Sequence, residues 1–383
     1  MFVNIVRAPI KRLCNNIPLK NIQNPDIFMN IENRAISISL VILATIAVFY
    51  VMVVGKAFLI PLAVAVMVWY VINALSRTFA KLIPWVDRKN WLTTLASLLS
   101  IALFIYFAVD MVQRNITDVS AAAPSYKANF DILANKLVKQ FGLEEVPNVK
   151  QLIDSIEVAP MIRTLAGSFT NMISNIFLVL IYVLFLLLEQ GTFRRKIAAI
   201  FPDSERRSSF MSILSHAQED IQTYLWIKTV TSSITGVVSY LVLKAVGVDF
   251  AGFWAFTIFL LNFIPTVGSI IATLFPALLA LIQFDTFTQF FVVLIGVGSV
   301  QVMVGNFLEP KLMGNTLNLS PFVVMMSLTL WGSLWGIAGM FLSVPITVMM
   351  LIVFAHFGST RYIAILLSGD GNLKFADDIH PQT

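Results

Sequence analysis

The residues most able to do chemistry lie in the second half of the chain. Glu309-Pro310-Lys311 places a carboxylate, a helix-breaking proline and an amine side by side, and such a group could couple an ion or contact a polar substrate. Nearby side chains that could exchange hydrogen bonds with a solute are Asn262, Thr266, Ser269, Gln301 and Asn306. The alternative is a membrane-border loop in which Glu309 pairs with Lys311 or with a helix end, because charges are common at the border and rare inside the membrane.

A second group of candidates opens the fifth apolar block. Lys228 lies one helical turn into that block and is followed by hydroxyl side chains, of which Thr229 and Ser232 are candidates for a polar path. The same hydroxyls could instead bond to neighbouring helices. A lysine at the bilayer centre costs roughly 2.5–3.5 kcal/mol on insertion scales, so we expect Lys228 to extend its amine to the interface.

The sequence carries no signature of an enzyme. The three histidines, His216, His356 and His380, lack metal-ligand spacing, and no glycine-rich phosphate-binding loop is present. We therefore predict no catalytic residue, no cofactor and no metal site, and we expect any uphill transport to use an ion gradient. Cys14 is the only cysteine, which excludes a disulfide within the chain. The net charge of +5 falls in clusters beside apolar blocks, which argues against nucleic-acid binding.

The candidate residues lie among apolar segments long enough to cross a membrane. The chain is 58% hydrophobic and only 12% charged, about half the charged fraction of a soluble domain. A helix needs roughly 20 apolar residues to cross the hydrocarbon region, and a backbone in lipid must satisfy its own hydrogen bonds. The sequence therefore predicts an all-α polytopic membrane protein with about eight transmembrane segments, at 36–54, 57–76, 92–112, 167–188, 224–246, 252–283, 287–305 and 321–357.

Two of these segments are too long for one upright span. Segment 252–283 contains Pro265, Gly268 and Pro276; proline removes a backbone hydrogen bond and glycine loosens a helix. We expect a broken, re-entrant hairpin whose freed backbone groups face protein or a water-filled cavity, as at the broken helices of transporters. Segment 321–357 offers further places to bend or to pack closely, at Gly332, Gly336, Gly339 and Pro345.

The distribution of Lys and Arg predicts the orientation. Basic side chains cluster in the N-terminal tail and after the second and fourth apolar blocks, and short basic loops stay in the cytoplasm, so both termini are expected to be cytoplasmic. The predicted organisation is a cytoplasmic tail (1–35), spans one to three (36–112), an extracytoplasmic amphipathic helical segment (113–166), span four (167–188), a cytoplasmic amphipathic helix (189–222), a transport core (223–357) with the broken hairpin (252–283) and the polar motif (301–315), and a cytoplasmic tail (358–383).

Five motifs in the second half occur in a fixed order and resemble a known family. They are Asn262-Phe-Ile-Pro-Thr-Val-Gly268, Pro276-Ala-Leu-Leu-Ala-Leu-Ile282, Asn306-Phe-Leu-Glu-Pro-Lys-Leu-Met-Gly314, Leu319-Ser-Pro-Phe-Val-Val324 and Trp331-Gly-Ser-Leu-Trp-Gly-Ile-Ala-Gly-Met-Phe-Leu-Ser-Val-Pro345. As a set they closely resemble the autoinducer-2 exporter family of bacterial membrane transporters, over residues 36–357. One departure is Asn73-Ala74, where relatives often carry proline.

The resemblance implies a homo-oligomer in the bacterial inner membrane that exports a small polar signalling molecule. Its solute site would lie where hairpin 262–283 meets segment 301–315. A cation/proton antiporter, coupled to protons or sodium, is an alternative, because some relatives are linked to such exchange; the carboxylates available for it are Asp110, Asp249, Asp285 and Glu309. A membrane scaffold that binds partners through residues 114–163 is a third hypothesis.

Overall fold

The structure is a computed structural model that describes residues 25–82, 90–141, 158–284, 286–314 and 318–373. The elements are α1 (Pro25–Val54), α2 (Lys56–Leu82), α3 (Asn90–Phe141), α4 (Val158–Ile200), α5 (Ser204–Val246), α6 (Ala251–Leu261), α7 (Val267–Phe284), α8 (Phe287–Met303), a π-helical segment (Val304–Leu308), α9 (Glu309–Met313), α10 (Pro321–His356) and α11 (Arg361–Leu367). The chain divides into two compact units, residues 1–57 and 58–383. Helix α1 belongs to the first unit, and the second contains every helix from α3 onward.

Within the described residues, 7 helices are long and apolar enough to cross a membrane. Large apolar side chains such as Phe177, Leu188 and Phe322 are exposed along them, which suits contact with lipid rather than water. The prediction of an all-α polytopic membrane protein is confirmed. The eighth predicted segment, 36–54, is represented by a shorter apolar helical stretch, Ser39–Val54. Segment 252–283 contributes only α7 to the count, because α6, over Ala251–Leu261, is too short to cross a bilayer.

Helix α5 is the axis on which the second unit is built. Its 43 residues extend about 65 Å, more than twice the hydrocarbon thickness of a bilayer. Asp203 caps its N-terminus by accepting a hydrogen bond from the Glu205 N–H, and Gly247 ends it in the left-handed conformation. The N-terminal half of α5 packs against α2 and α10, and its C-terminal half packs against α6, α7 and α8.

Helices α6 and α7 form a hairpin, called here the first hairpin. Its open end lies at the C-terminal end of α5, where Gln283 Nε2 donates to the Gly247 carbonyl (2.9 Å) and the Asp249 N–H donates to Gln283 Oε1 (2.7 Å). Its tip reaches back to Ser232, about 21 Å below the end of α5 at 1.5 Å per residue. Segment 252–283 is thus broken into a hairpin whose two ends lie together; that it re-enters the membrane stays a prediction.

Helix α10 folds back on itself at Gly336, which has a φ of 62°, and forms a second hairpin. Its legs, residues 321–335 and 337–356, pack so closely that the Gly339 Cα faces the Trp331 carbonyl. Leu342, Val348 and Leu351 of the second leg share a core with Ala217 and Leu225 in the N-terminal half of α5. The second hairpin therefore enters from the end of α5 opposite to the first.

Helix α3 continues well past its membrane span and supports the open end of the first hairpin. Tyr126 Oη donates to Asp249 Oδ2 (2.8 Å), and Asn129 Nδ2 donates to the Gln283 carbonyl (3.0 Å). Burial, together with the Asp249 carboxylate, raises the pKa of Tyr126, so this phenol stays a donor. Residues 142–157 of the predicted extracytoplasmic segment lie outside the described residues.

Candidate functional site

The tips of the two hairpins meet beside the middle of α5. Phe263, in the turn of the first hairpin, stacks on Phe341 of the second with ring centroids 5.0 Å apart. Next to it, Asn262 is buried and donates from Nδ2 to Ser232 Oγ at 3.1 Å. Thr266 has a φ of 58°, which is uncommon for a β-branched residue. The tip is therefore a tight non-helical turn held by one polar contact to α5.

A buried ion pair lies one turn of α5 away from this tip. Lys228 Nζ donates to Glu309 Oε1 at 2.6 Å, and the two side chains are only 7% and 17% exposed. The expectation that Lys228 extends to the interface is wrong, because the amine is buried against a carboxylate. The alternative in which Glu309 pairs with Lys311 is not observed, because the described partner of Glu309 is Lys228, 81 residues away.

The π-helical segment accounts for the direction of Glu309. Residues Val304–Leu308 add one residue to the turn that precedes Glu309, which rotates the following residues by about 100° relative to a continuous α-helix. π-Helical turns are rare and often mark functional sites. Here the extra residue directs the Glu309 carboxylate to α5, and Pro310 follows at the start of α9.

Glu309 also lines a cavity of about 520 Å³. One wall is the π-helical segment with α9, and a second is the base of α10, where Val324 and Val344 from opposite legs both face the space. The remaining polar lining comes from Asn318 and Asp370. The cavity is large enough for a small metabolite, since ligand sites commonly measure about 300–1,000 Å³.

Two further polar groups are buried between α5 and its neighbours. Gln301 is 8% exposed, and its Nε2 makes no hydrogen bond within the described part of the chain. Ser239 Oγ on α5 is also buried and makes no hydrogen bond with the described residues. A buried polar atom left without a partner costs about 1–3 kcal/mol. Gln301 Nε2 and Ser239 Oγ are two polar atoms within the otherwise largely apolar packing of α5 against α8.

The predicted site residues thus fall into three groups. The structure joins Asn262 to Ser232 and Lys228 to Glu309, and places Glu309 with Pro310 on the cavity. Gln301 and Gly268 are buried elsewhere, Pro265 and Ser269 are half-buried, and Thr229 Oγ1 donates to the Leu225 carbonyl of its own helix. Thr266, Asn306 and Lys311 lie exposed on the surface, and Pro310 is exposed beside the cavity.

The C-terminal contribution to the cavity was not predicted from the sequence. Residues 367–373, which we term the C-terminal clasp, bond to the segment before α10: the Ser320 N–H donates to the Leu367 carbonyl (3.1 Å), and Asn318 Nδ2 donates to the Asn372 carbonyl (2.6 Å). Local pattern carries no sign of this, because the partners are about fifty residues apart and the tail is polar. Asn318 has a φ of 36°, a conformation that asparagine adopts more readily than most residues.

Comparison with known proteins assigns the chain to a family. The sequence profile of the AI-2E family transporter matches residues 38–358. The chain belongs to the AI-2E transporter family. Members similar to it include the "AI-2 transport protein TqsA" of Escherichia coli K12, 30% identical over 319 residues that cover 81% of this chain and 89% of the relative. A Haemophilus influenzae protein named as a transport protein is 29% identical over 356 residues, 90% of this chain and 99% of its own.

Membership in the AI-2E family agrees with the architecture described above. YrrI of Bacillus subtilis, also named as a transport protein, is 24% identical over 348 residues, 84% of this chain and 95% of its own length. The matched segment contains both hairpins, the ion pair and most of the cavity lining, but it ends before the C-terminal clasp. The chain is a multi-pass membrane protein of a transporter family.

Proposed function

We propose that this chain is a secondary transporter of the bacterial inner membrane that exports a small polar metabolite resembling autoinducer-2. The observation that carries the proposal is the meeting of two hairpins that enter from opposite ends of α5, with polar groups beside the tip of the first hairpin and a cavity at the base of the second. Broken backbone within a membrane is tolerated where it faces protein or a water-filled space, and transporters place solutes at such breaks. The name of the E. coli relative TqsA supports the substrate class.

The proposed path runs from the cavity at Glu309, past Lys228, to Asn262 and Ser232 at the tip of the first hairpin. Lys228 and Ser232 are one turn apart on α5, about 6 Å along its axis. A small solute that leaves the ion pair therefore has to move only about its own length to reach the contact between Asn262 and Ser232. The stacked rings of Phe263 and Phe341 close the path between the hairpins. Relative movement of the hairpins would open one side and then the other, which is alternating access.

Release of labelled autoinducer-2 tests this function directly. Vesicles that contain the purified full-length chain and are preloaded with the label are expected to lose it faster than protein-free vesicles. Asn262→Leu removes the hydrogen bond to Ser232 and is expected to slow release about fivefold, since a buried hydrogen bond contributes about 1 kcal/mol. Ser233→Ala, at an exposed position on α5 next to Ser232, is the control, and its rate of release should match that of the wild type. Equal loss from protein-free vesicles would reject this substrate.

Cation/proton antiport is a second candidate, favoured by one observation: Glu309 is a mostly buried carboxylate on the wall of a cavity. The other carboxylates are less suited. Asp110 pairs with Arg114 on an exposed face, Asp249 accepts from Tyr126, and Asp285 lies outside the described residues. If sodium drives proton movement in vesicles and Glu309→Gln abolishes that movement, antiport replaces export; if sodium drives none, antiport is rejected.

The proposed orientation places both termini in the cytoplasm. It is supported by the basic residues around the connection of α2 to α3 (Arg77, Lys81, Arg88 and Lys89) and around the junction of α4 with α5 (Arg194, Arg195, Lys196, Arg206 and Arg207), because Lys and Arg near short loops stay inside. A reporter that is active only in the cytoplasm, fused after Thr383, should be active, and the same reporter inserted between α3 and α4 should be inactive. The reverse pattern would contradict the orientation. The homo-oligomer and the partner-binding role of residues 114–163 stay predictions.

A further inference from the structure

Helix α11 turns an apolar face outward at the base of the second hairpin. Its inner side is held by Ala364, which is buried in one cluster with Ala355 and Leu373. The exposed side chains opposite Ala364 are large and apolar, and we term them the outward face: Tyr362, Ile363, Ile365 and Leu366. Tyr362 and Leu366 are each 77% exposed, and a spacing of four residues places them on one side of the helix. An exposed apolar patch of this kind indicates contact with a partner or a membrane.

The outward face has the character of a helix that lies in the plane of a membrane surface. Such helices bury one apolar face at the boundary between headgroups and acyl chains. Tyrosine is enriched at that level, because its ring is apolar and its hydroxyl is polar. With 7 residues, α11 is far too short to cross the hydrocarbon region. Contact between α11 and lipid therefore requires an orientation along the surface.

The lengths of the two hairpins place α11 at the level of the headgroups. The first hairpin extends about 21 Å from its open end to its tip at Ser232. Phe263 at that tip stacks on Phe341, and the leg from Phe341 to His356 adds about 22 Å. Together they cover about 43 Å along the helix axes, which matches the roughly 40–45 Å of a bilayer with its headgroup regions. Helix α11 begins a short turn after His356.

Lipid also suits the outward face better than the rest of the chain does. Exposed phenylalanines adjoin α11 on both sides. Phe357 precedes it, and Phe322 follows Ser320, whose N–H donates to the Leu367 carbonyl (3.1 Å). The lipid-facing surface of α10 thus reaches α11 from both legs. Residues 374–383, which lie outside the described part of the chain, contain only Phe375 and Ile379 as large apolar side chains among charged and small ones.

We propose that α11 is an interfacial helix whose outward face lies among the phospholipid headgroups and upper acyl chains at the base of the second hairpin. Part of the segment that the sequence assigned to a cytoplasmic tail is thereby a membrane anchor. The end of α11 is joined to the segment before α10 by a bridge between Ser368 and Leu319, and Leu319 lines the cavity. The anchor therefore holds one rim of the cavity at the membrane surface.

Spin labels on single cysteines test this position. In the full-length chain, Cys14, the only cysteine, is replaced by serine, and a nitroxide is attached to Leu366→Cys. The matched controls are Leu184→Cys, on an exposed apolar position of α4, and Glu205→Cys, at the exposed start of α5. In phospholipid vesicles, collisions with oxygen, which concentrates in hydrocarbon, are compared with collisions with a water-soluble nickel chelate. The oxygen-to-nickel ratio at Leu366 should be several-fold above that at Glu205 and below that at Leu184. Tyr362→Cys should agree with Leu366→Cys.

Each other outcome overturns the proposal. A ratio at Leu366 equal to that at Glu205 means that the outward face lies in water. Few collisions with both reagents mean that protein covers the face. In that case, spectral broadening that disappears when labelled protein is diluted with unlabelled protein identifies a second copy, and its absence identifies residues outside the described part of the chain. The measurement requires no transport, so its result is independent of the proposed function.

Discussion

Gly268→Ala and Gly339→Ala are expected to prevent the two hairpins from closing and to remove transport. A Cβ at Gly268 would lie 1.8 Å from the Leu261 carbonyl oxygen, and one at Gly339 would lie 1.9 Å from the Trp331 carbonyl oxygen. Both obstacles are backbone, so the legs of each hairpin would have to separate by more than 1 Å. We expect a cost above about 3 kcal/mol in each case, measured as a loss of monodisperse protein in detergent and a lower unfolding temperature.

Two other glycines provide matched controls. A Cβ at Gly252 in α6, or at Gly305 in the π-helical segment, meets nothing within 4 Å, so alanine there should fold normally. Alanine is favoured over glycine within a helix by up to about 1 kcal/mol, so Gly252→Ala should be neutral or slightly stabilising. If Gly268→Ala and Gly339→Ala were as stable as these controls, the close contact of the hairpin legs would be contradicted.

The fold could be predicted where length and composition decide it. An apolar run of about twenty residues has one stable conformation in lipid, and this identified the spanning helices. The first hairpin followed from a segment too long for one span and interrupted by Pro265 and Gly268. The reversal at Gly336 could not be predicted, because a helix that bends and one that folds back have the same apolar pattern. What decides between them is the contact of Gly339 with the Trp331 carbonyl, which only the tertiary structure supplies.

The residues of the candidate site could be recognised in the sequence, but which of them pair with each other could not. Asn262, Lys228 and Glu309 were recognisable because polar groups are costly among apolar residues. Their hydrogen-bond partners could not be predicted. Lys228, for example, was expected to reach the interface, whereas it bonds to Glu309. A one-residue π-helical insertion determines the direction of Glu309, and the sequence around it has no distinctive pattern. The place of Asp370 in the cavity lining was not predicted either, because a polar tail carries no sign of the surface on which it packs.

Lys228→Met and Glu309→Gln are each expected to lower the free energy of unfolding. The double variant should lose less than the sum of the two single losses. Removing one partner leaves the other charge buried without compensation, which costs about 3–5 kcal/mol for a fully buried pair. Because Glu309 is 17% exposed, solvent screening places the expected cost near the lower end, about 3 kcal/mol. In Lys228→Met/Glu309→Gln no buried charge remains, so part of the loss should be recovered, and a double-mutant cycle measures that coupling.

The exposed pair of Lys196 with Glu189, whose side chains are 63% and 49% exposed, is the control, because screened surface pairs contribute little. Lys196→Met and Glu189→Gln should leave the unfolding temperature unchanged. Additive effects at Lys228 and Glu309, or effects no larger than those at the surface pair, would contradict a buried ion pair. A transport assay then separates a role in stability from a role in transport. If the double variant folds and still exports, the pair contributes to stability alone. A double variant that folds but no longer exports shows that the charges act on the solute path, as their position at the cavity wall predicts.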